Sequence, residues 1–218
     1  MNSVDNDDKT DEIYSLVDSS NQTITRLLEL SNDDDWFIRD LAIERLGEFG
    51  GVHHFTESVN RIRQGMSDPH KLVRSTCILI LGDWQDKESL DQIVEFLTDD
   101  DCVIRFAAAE AVGSIGDSSK AEILEKLLTT IDDDNERVFF YFGLVLLGQT
   151  QWVTQILDSL NSNCYLTRCA AANSLISCVT EQNRAVILES LKQALAKEET
   201  RAAYSSIEGA IKTLEEET

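Results

Sequence analysis

Six arginines recur at a nearly constant interval along this chain of 218 residues, and this repetition constrains the fold more than any other feature. Successive members of the series are 35, 31, 32, 31 and 33 residues apart. A fixed period in the range of about 20–50 residues is typical of repeat proteins, in which each unit buries its apolar face against its neighbours. We therefore interpret the arginines as structural residues of the repeat. They are Arg39, Arg74, Arg105, Arg137, Arg168 and Arg201.

Glycines recur in the same register as the arginines. The glycines that stand eight residues after an arginine are Gly47, Gly82, Gly113 and Gly209. Those that stand eleven residues after one are Gly50, Gly116 and Gly148. We predict that these glycines end the first helix of each repeat or turn the chain into the second, because a positive φ is easiest for glycine.

Each repeat divides into two predicted helices. In the third copy the first helix runs over about residues 102–114 and the second over about residues 119–130, where apolar residues recur with the 3.6-residue period of an amphipathic helix. The whole chain contains one proline, which also favours an all-α protein. We predict N-terminal capping helices and an acidic segment over residues 1–30, followed by an α-solenoid over residues 31–218.

The best-preserved copy, "DCVIRFAAAEAVGSIGD" at residues 101–117, resembles the short HEAT-like repeat that is also found in phycobilin lyase subunits. The resemblance extends over about residues 31–218. It implies a right-handed α-solenoid of about six HEAT-like helix pairs, whose second helices line the concave side. Repeats of this kind mostly build binding surfaces, so the resemblance is more specific for fold than for function.

The net charge of −21, from 40 acidic and 19 basic residues, bears directly on possible partners. A chain this acidic repels nucleic acid and anionic membrane and attracts basic proteins, although the acidity could also serve only to keep the protein in solution.

The opening "MNSVDNDDKTDE" lacks the apolar core of a signal peptide, and no apolar run is long enough to span a bilayer. The five cysteines form no CxxC pair. We therefore expect reduced thiols and a cytoplasmic location.

Acidic runs precede several of the first helices. We predict that Asp35, Asp101 and Asp134 cap these helices by accepting hydrogen bonds from free backbone N–H groups. The neighbouring acids Asp33, Asp34, Asp99, Asp100, Asp132 and Asp133 would repel each other and gain little locally. Further acids lie on the second helices, where the resemblance suggests an acidic trough. The predicted partner-binding acids are Asp91, Glu95, Asp99, Asp100, Glu122, Glu125, Asp132, Asp133 and Asp158.

Two tryptophans and one apolar segment allow two interpretations each. Trp36 and Trp152 stand near helix starts, where they are either exposed anchors for a partner or partly buried against the next repeat. The segment Val138–Leu147, "VFFYFGLVLL", is apolar on all sides. It is either a central helix covered by its neighbours or a subunit contact, and we expect a monomer rather than a homo-oligomer.

No residue pattern in the chain predicts catalysis, a cofactor or a metal site. The aspartate runs lack the alternating spacing of a calcium loop, and there is no glycine-rich phosphate loop. The leading hypothesis is a non-enzymatic module that sequesters a basic protein, such as an immunity protein that neutralises a bacterial toxin or effector domain, for instance a nuclease. The alternatives are a phycobilin lyase or isomerase subunit, which the repeat resembles, and a general scaffold.

Overall fold

The computed structural model describes residues 3–50 and 56–216, which form thirteen α-helices and three short 3₁₀ turns without any strand. The helices are α1 (Ser3–Ser15), α2 (Asn21–Leu30), α3 (Trp36–Gly50), α4 (Thr56–Gly65), α5 (Lys71–Asp83), α6 (Leu90–Glu95), α7 (Cys102–Ile115), α8 (Ala121–Leu128), α9 (Asp134–Leu146), α10 (Val153–Ser159), α11 (Tyr165–Ser177), α12 (Arg184–Leu195) and α13 (Arg201–Glu216). The 3₁₀ turns are Phe96–Thr98, Ser118–Lys120 and Thr150–Trp152.

The helices follow the predicted order of pairs. The first helices of the repeats, α3, α5, α7, α9 and α11, each begin three residues before the repeat arginine, whereas α13 begins at Arg201 itself. The second helices are α4, α6, α8, α10 and α12, and α1 and α2 precede the first pair. The predicted all-α repeat architecture is therefore confirmed.

The chain divides into two compact units, Met1–Ala111 and Val112–Thr218. In the first unit, α3 packs against α1, α2 and α5, and α4 packs against α5. In the second unit, α11 packs against both α9 and α13, and α12 packs against α13. The apolar core of this second unit includes Val138, Phe142, Ala171, Leu175 and Ile207, all of them buried. The predicted boundary after residue 30 is a separate division and stays a prediction.

The glycines eight residues after the arginines lie inside helices, so the prediction that they end or turn the helix is wrong. A Cβ atom on Gly82 would stand 2.7 Å from the Cα atom of Ala111, and one on Gly113 would stand 2.7 Å from the carbonyl oxygen of Gly143. These glycines are needed because the first helices of successive repeats touch backbone to backbone. Gly209 in α13 has open space around it.

In the second, third and fourth repeats, the position eleven residues after the arginine adopts the predicted left-handed conformation. Gly116 has a φ of 80° and Gly148 a φ of 88°. The second repeat has Gln85 at this position, and its φ is also positive, at 52°. The N–H of Asp86 donates to the carbonyl of Leu81 at 2.9 Å, which is the hydrogen bond that closes a Schellman motif. The turn therefore persists where its glycine has been lost.

The apolar segment Val138–Leu147 forms most of α9 and lies inside the second unit. Val138, Phe140 and Leu144 are completely buried, and no residue of the segment is exposed. Helix α9 packs against α8, α10 and α11, which together cover its apolar sides. The structure thus supports the interpretation of a central helix rather than a subunit contact. Across the described residues, no helix combines the length and apolarity needed to cross a membrane.

Candidate functional site

Five of the six repeat arginines hold the loop that precedes their own helix. Each donates a hydrogen bond to the backbone carbonyl six residues earlier, because the arginine is the fourth residue of its helix and reaches back over the first turn. The bonds run from Arg39 to Asp33 (2.9 Å), from Arg74 to Asp68 (3.0 Å), from Arg105 to Asp99 (2.8 Å), from Arg137 to Ile131 (2.8 Å) and from Arg168 to Ser162 (2.7 Å).

Two of these arginines also bind a carboxylate of the following repeat. Arg39 donates two hydrogen bonds of 2.8 Å to Asp68, and Arg168 donates bonds of 2.6 and 2.7 Å to Glu198. The hydrogen bonds from Arg168 lower the pKa of Glu198 to about 2. Arg201 departs from the pattern, because it is the first residue of α13 rather than the fourth. Its side chain is exposed and has no hydrogen bond to any described residue, so a structural role for Arg201 is not supported.

The helix caps lie close to their predicted positions. Asp35 accepts a hydrogen bond of 2.8 Å from the N–H of Phe37, and Asp101 accepts one of 2.9 Å from Val103. In the fourth copy the prediction is wrong by one residue, because Asp134 is the first residue of α9. The capping residue there is Asp133.

The acids next to these caps also contribute to local structure, contrary to expectation. Asp33 accepts a hydrogen bond of 2.9 Å from the N–H of Asp35, and Asp99 accepts one of 2.8 Å from Asp101. Such side-chain-to-backbone bonds close a turn before the helix begins. By contrast, the carboxylates of Asp34, Asp100 and Asp132 are exposed and bond to no described residue.

The remaining predicted partner-binding acids are distributed over both units. In the first unit, Asp91 and Glu95 lie exposed on α6. In the second unit, Glu122 is exposed on α8, Glu125 is half-buried on the same helix, and Asp158 is exposed on α10. Within each unit these acids are placed where solvent, and therefore a partner, reaches them.

The two tryptophans have different surroundings. Trp36 is 37 % exposed, stacks on His70 with 3.9 Å between ring centroids, and meets Phe37 edge to face. Phe37 and Leu72, the second residues of α3 and α5, are exposed as well. Trp152 is half-buried and stacks on Tyr141 at 5.3 Å. The exposed-anchor interpretation therefore fits Trp36, whereas partial burial fits Trp152.

Sequence reasoning missed an acidic cleft in the first unit, which we call the α3–α5 cleft. It is a cavity of about 360 Å³ that contains three carboxylates, those of Glu44, Glu48 and Asp83. Its other lining residues are Gly47, Thr76, Leu79, Ile80 and Trp84. Glu48 and Asp83 both stand nine residues after their repeat arginines, and Glu44 stands five after its own. The acids that stand nine residues after the first two repeat arginines are the feature of the sequence that would have revealed the cleft.

Three acids in or near the cleft have a raised pKa, so their ionised forms are disfavoured. Although Asp83 reaches solvent, loss of surrounding water raises the pKa of its carboxyl. Burial likewise raises the pKa of Glu110 on α7, and the negative charge of Asp83 raises it further. Burial also raises the pKa of Asp40 on α3. Arg45 neutralises part of the cleft by pairing with Glu48. Of the three carboxylates that line the cleft, desolvation therefore disfavours the ionised form of Asp83, and Glu48 is paired with Arg45.

The cysteines differ in their capacity to react. Burial raises the pKa of Cys77 and of Cys178 to about 12, so these thiols stay protonated at neutral pH. Cys164, at the start of α11, is exposed, and hydrogen bonds from the backbone and hydroxyl of Thr167 lower its pKa. Within residues 3–50 and 56–216, no three His, Cys, Asp or Glu side chains are grouped so that they could hold a metal ion.

Comparison with known proteins supports the repeat interpretation. Residues 59–138 match the family described as HEAT repeats. The structure of the complex of CpcE and CpcF of phycocyanin lyase from Nostoc sp. PCC7120 is similar, with a TM-score of 0.63 and 15 % identity over 89 % of this chain and 83 % of that chain. At this identity the similarity shows a shared fold alone. No curated protein sequence matches.

Two further solved structures are similar at lower scores. Human deoxyhypusine hydroxylase in complex with glycerol has a TM-score of 0.42 and 21 % identity, over 95 % of this chain and 79 % of that chain. A designed armadillo repeat protein has a TM-score of 0.41 and 12 % identity, over 87 % of this chain and 98 % of that chain. Neither similarity is strong enough to carry an argument about function.

Proposed function

Because this chain is a HEAT-like repeat protein, we propose that it is a protein-binding module whose acidic surface sequesters a basic protein partner. The observation that carries the proposal is the α3–α5 cleft, which three carboxylates line and where desolvation makes the ionisation of Asp83 costly. A folded chain gains nothing from such an arrangement by itself. A cation supplied by a partner would remove the cost and favour the bound state.

The walls of the cleft suit a lysine or arginine side chain. Leu79, Ile80 and Trp84 supply apolar surface for the methylene stem, and the carboxylates of Glu44 and Asp83 are available for the charged end. Desolvated charge pairs of this kind confer specificity and raise the rate of association. The cleft is therefore proposed as the place where one basic side chain of the partner is recognised.

An aromatic surface in the same unit would add affinity. Trp36 and Phe37 are exposed neighbours on α3, and Leu72 is exposed on α5. Exposed aromatic residues frequently provide most of the binding energy of a protein interface. The acids Asp34 and Asp100, whose carboxylates bond to no described residue, would extend the negative surface beside it.

The most concrete form of the proposal is an immunity protein that acts in the cytoplasm and neutralises a bacterial toxin or effector domain. Nuclease toxins carry basic clefts for their substrate, and a chain with a net charge of −21 complements such a surface. The same charge opposes binding to nucleic acid or to anionic membrane. In this proposal the chain is not an enzyme and needs no cofactor.

The test is a binding measurement with purified basic domains encoded by genes beside this one. We expect Asp83→Lys to weaken binding at least about tenfold, equivalent to about 1.4 kcal/mol. Glu181→Lys is the matched control, since it makes the same change of charge at an exposed site in the second unit and should leave binding nearly unchanged. Capture of no basic domain, or equal weakening by both substitutions, would contradict the proposal.

A second candidate is a phycobilin lyase or isomerase subunit, favoured by the fold shared with the phycocyanin lyase complex. Its test is to mix the purified chain with a free bilin and record the absorption spectrum. A shift of the bilin absorption bands would support a lyase-related role, and an unchanged spectrum would favour the sequestering module.

A further inference from the structure

A cavity of about 330 Å³ in the second unit differs in chemistry from the α3–α5 cleft. It is formed by the first turns of α9 and α11, by α10 and by the loop after α10. Its lining residues are Asp134, Arg137, Tyr141, Gln155, Asp158, Ser159, Asn161, Ser162 and Thr167. Both signs of charge meet in this space, which we call the Arg137 cavity. Of the predicted partner-binding acids, only Asp158 lines this cavity.

The cavity opens where the repeat has lost an acid. Arg39 binds Asp68, which stands six residues before the arginine of the next repeat. For Arg137 the residue at this position is Ser162, which offers no carboxylate. The Nε–H of Arg137 donates a hydrogen bond to the carbonyl of Ile131. The Nη1 atom of Arg137 stands 3.9 Å from the Oδ1 atom of Asp134. Within the described chain, no acceptor is hydrogen-bonded to either of its terminal nitrogens.

Other polar groups of the cavity are also unsatisfied. Gln155 has a buried Oε1 atom with no hydrogen-bond donor within reach among the described residues. The carboxylate of Asp158 pairs with no basic side chain of the described chain. Buried polar atoms without partners are uncommon in folded proteins and often mark the place of a missing ligand.

We propose that the Arg137 cavity binds a small zwitterion of the α-amino acid class. The carboxylate of the ligand takes the place of the missing repeat acid against Arg137, and its ammonium group faces the exposed carboxylate of Asp158. The ring of Tyr141, held by stacking on Trp152, forms a wall for the ligand side chain. The volume lies at the lower end of the range for ligand sites, which suits a small molecule.

The charges favour a zwitterion over ligands of one sign. An anion with two carboxylates would be repelled by Asp134 and Asp158, and by the net charge of −21 at longer range. A diamine would meet the guanidinium of Arg137. A ligand of zero net charge with separated ends satisfies both sides of the cavity.

Calorimetric titration of the full chain with each of the twenty amino acids tests the proposal, with succinate and putrescine as ligands that carry only one sign of charge. We expect at least one amino acid to bind with a Kd of about 1 mM or tighter, while succinate and putrescine fail to bind. Absence of binding by every amino acid overturns the proposal, and so does binding of succinate with equal affinity.

Ser162→Asp supplies the missing acid within the chain and should fill the cavity. We expect this variant to lose amino-acid binding while its melting temperature without ligand stays equal or rises, which separates occlusion from misfolding. Asn163→Asp is the control, because it adds the same charge one residue away, outside the cavity lining. Equal binding by wild type and Ser162→Asp, or equal loss in both variants, overturns the proposal.

Discussion

Arg39 and Arg137 occupy the same position of their repeats, yet their side chains meet different groups. Both hold the carbonyl six residues earlier. Arg39 also binds Asp68 of the following repeat, whereas Arg137 faces a cavity. At the scale of single residues, the repeat therefore determines where the side chain of each arginine lies. The residue opposite it in the next repeat determines whether the arginine forms an ion pair or is available for a ligand.

The pair formed by Arg168 and Glu198 should stabilise the second unit. We expect Glu198→Gln to lower the free energy of unfolding at pH 7 by about 2 kcal/mol, since two hydrogen bonds between charged groups are weakened. The pKa of Glu198 is lowered to about 2 in the folded chain, so its contribution is complete above its ordinary pKa of 4.5 and declines as the pH falls towards 2.

Urea titrations between pH 7 and pH 3 measure this difference between wild type and Glu198→Gln. Arg201→Gln is the control, since Arg201 bonds to no described residue and its replacement should change stability little. A difference that grows as the pH is lowered would contradict the assignment.

Asp83, which lines the α3–α5 cleft, and its neighbour Glu110 should have the opposite effect on stability. Asp83 and Glu110 have raised pKa values in the folded chain, so their contribution to stability is present below the pKa of the unfolded chain and is lost as the pH rises through the folded value. We therefore expect Asp83→Asn and Glu110→Gln to raise the melting temperature at pH 7. The gain should vanish near pH 4 or below, roughly where these acids are protonated in both states.

Differential scanning calorimetry at several pH values provides the measurement. Asp34→Asn is a suitable control, because the carboxylate of Asp34 is exposed and bonds to no described residue. Lower melting temperatures for both Asp83→Asn and Glu110→Gln at pH 7 would mean that these carboxylates stabilise the free chain, which would remove the argument for a cation from a partner.

At the scale of helices, close contact between successive first helices depends on glycine at one register. Gly82 and Gly113 allow this contact within the first and the second unit, respectively. Gly209 stands at the same register in α13 but touches nothing within 4 Å. Glycine at this register therefore has a packing role in α5 and α7 and none in α13.

Replacing these glycines by alanine should give effects of opposite sign. Gly113→Ala would push its Cβ into the backbone of Gly143, and we expect a net loss of about 1–3 kcal/mol from overpacking. Gly209→Ala meets no neighbour and should stabilise α13 by about 0.5–1 kcal/mol through its helix propensity. Chemical denaturation of both variants is the measurement, and effects of the same sign would contradict the packing argument.

At the scale of the whole molecule, the dominant property is the charge of −21. Part of it is used locally, as in the bonds of Asp33, Asp99 and Asp133 to backbone N–H groups. The rest remains on exposed carboxylates such as those of Asp100 and Asp132. A charge of this size makes copies of the chain repel each other and favours association with molecules of opposite sign.

The free chain should accordingly be a monomer. Helix α9 is covered by α8, α10 and α11, and the apolar segment Val138–Leu147 offers no exposed residue for self-association. We expect sedimentation equilibrium at physiological salt to give the mass of one chain, 24.5 kDa. A dimer that persists at low protein concentration would instead assign part of the surface to self-contact.

The sequence alone determined the repeat, the helix pairs and the register of the arginines, because these follow from local chain geometry that recurs in every copy. Only the tertiary structure decided what lies opposite each repeated residue. Glu44 and Asp83 meet in one cleft, and Arg137 faces Ser162 rather than a carboxylate, although these residues are at least 25 positions apart. A period shows which residues are equivalent, whereas a binding site depends on the positions where neighbouring repeats differ.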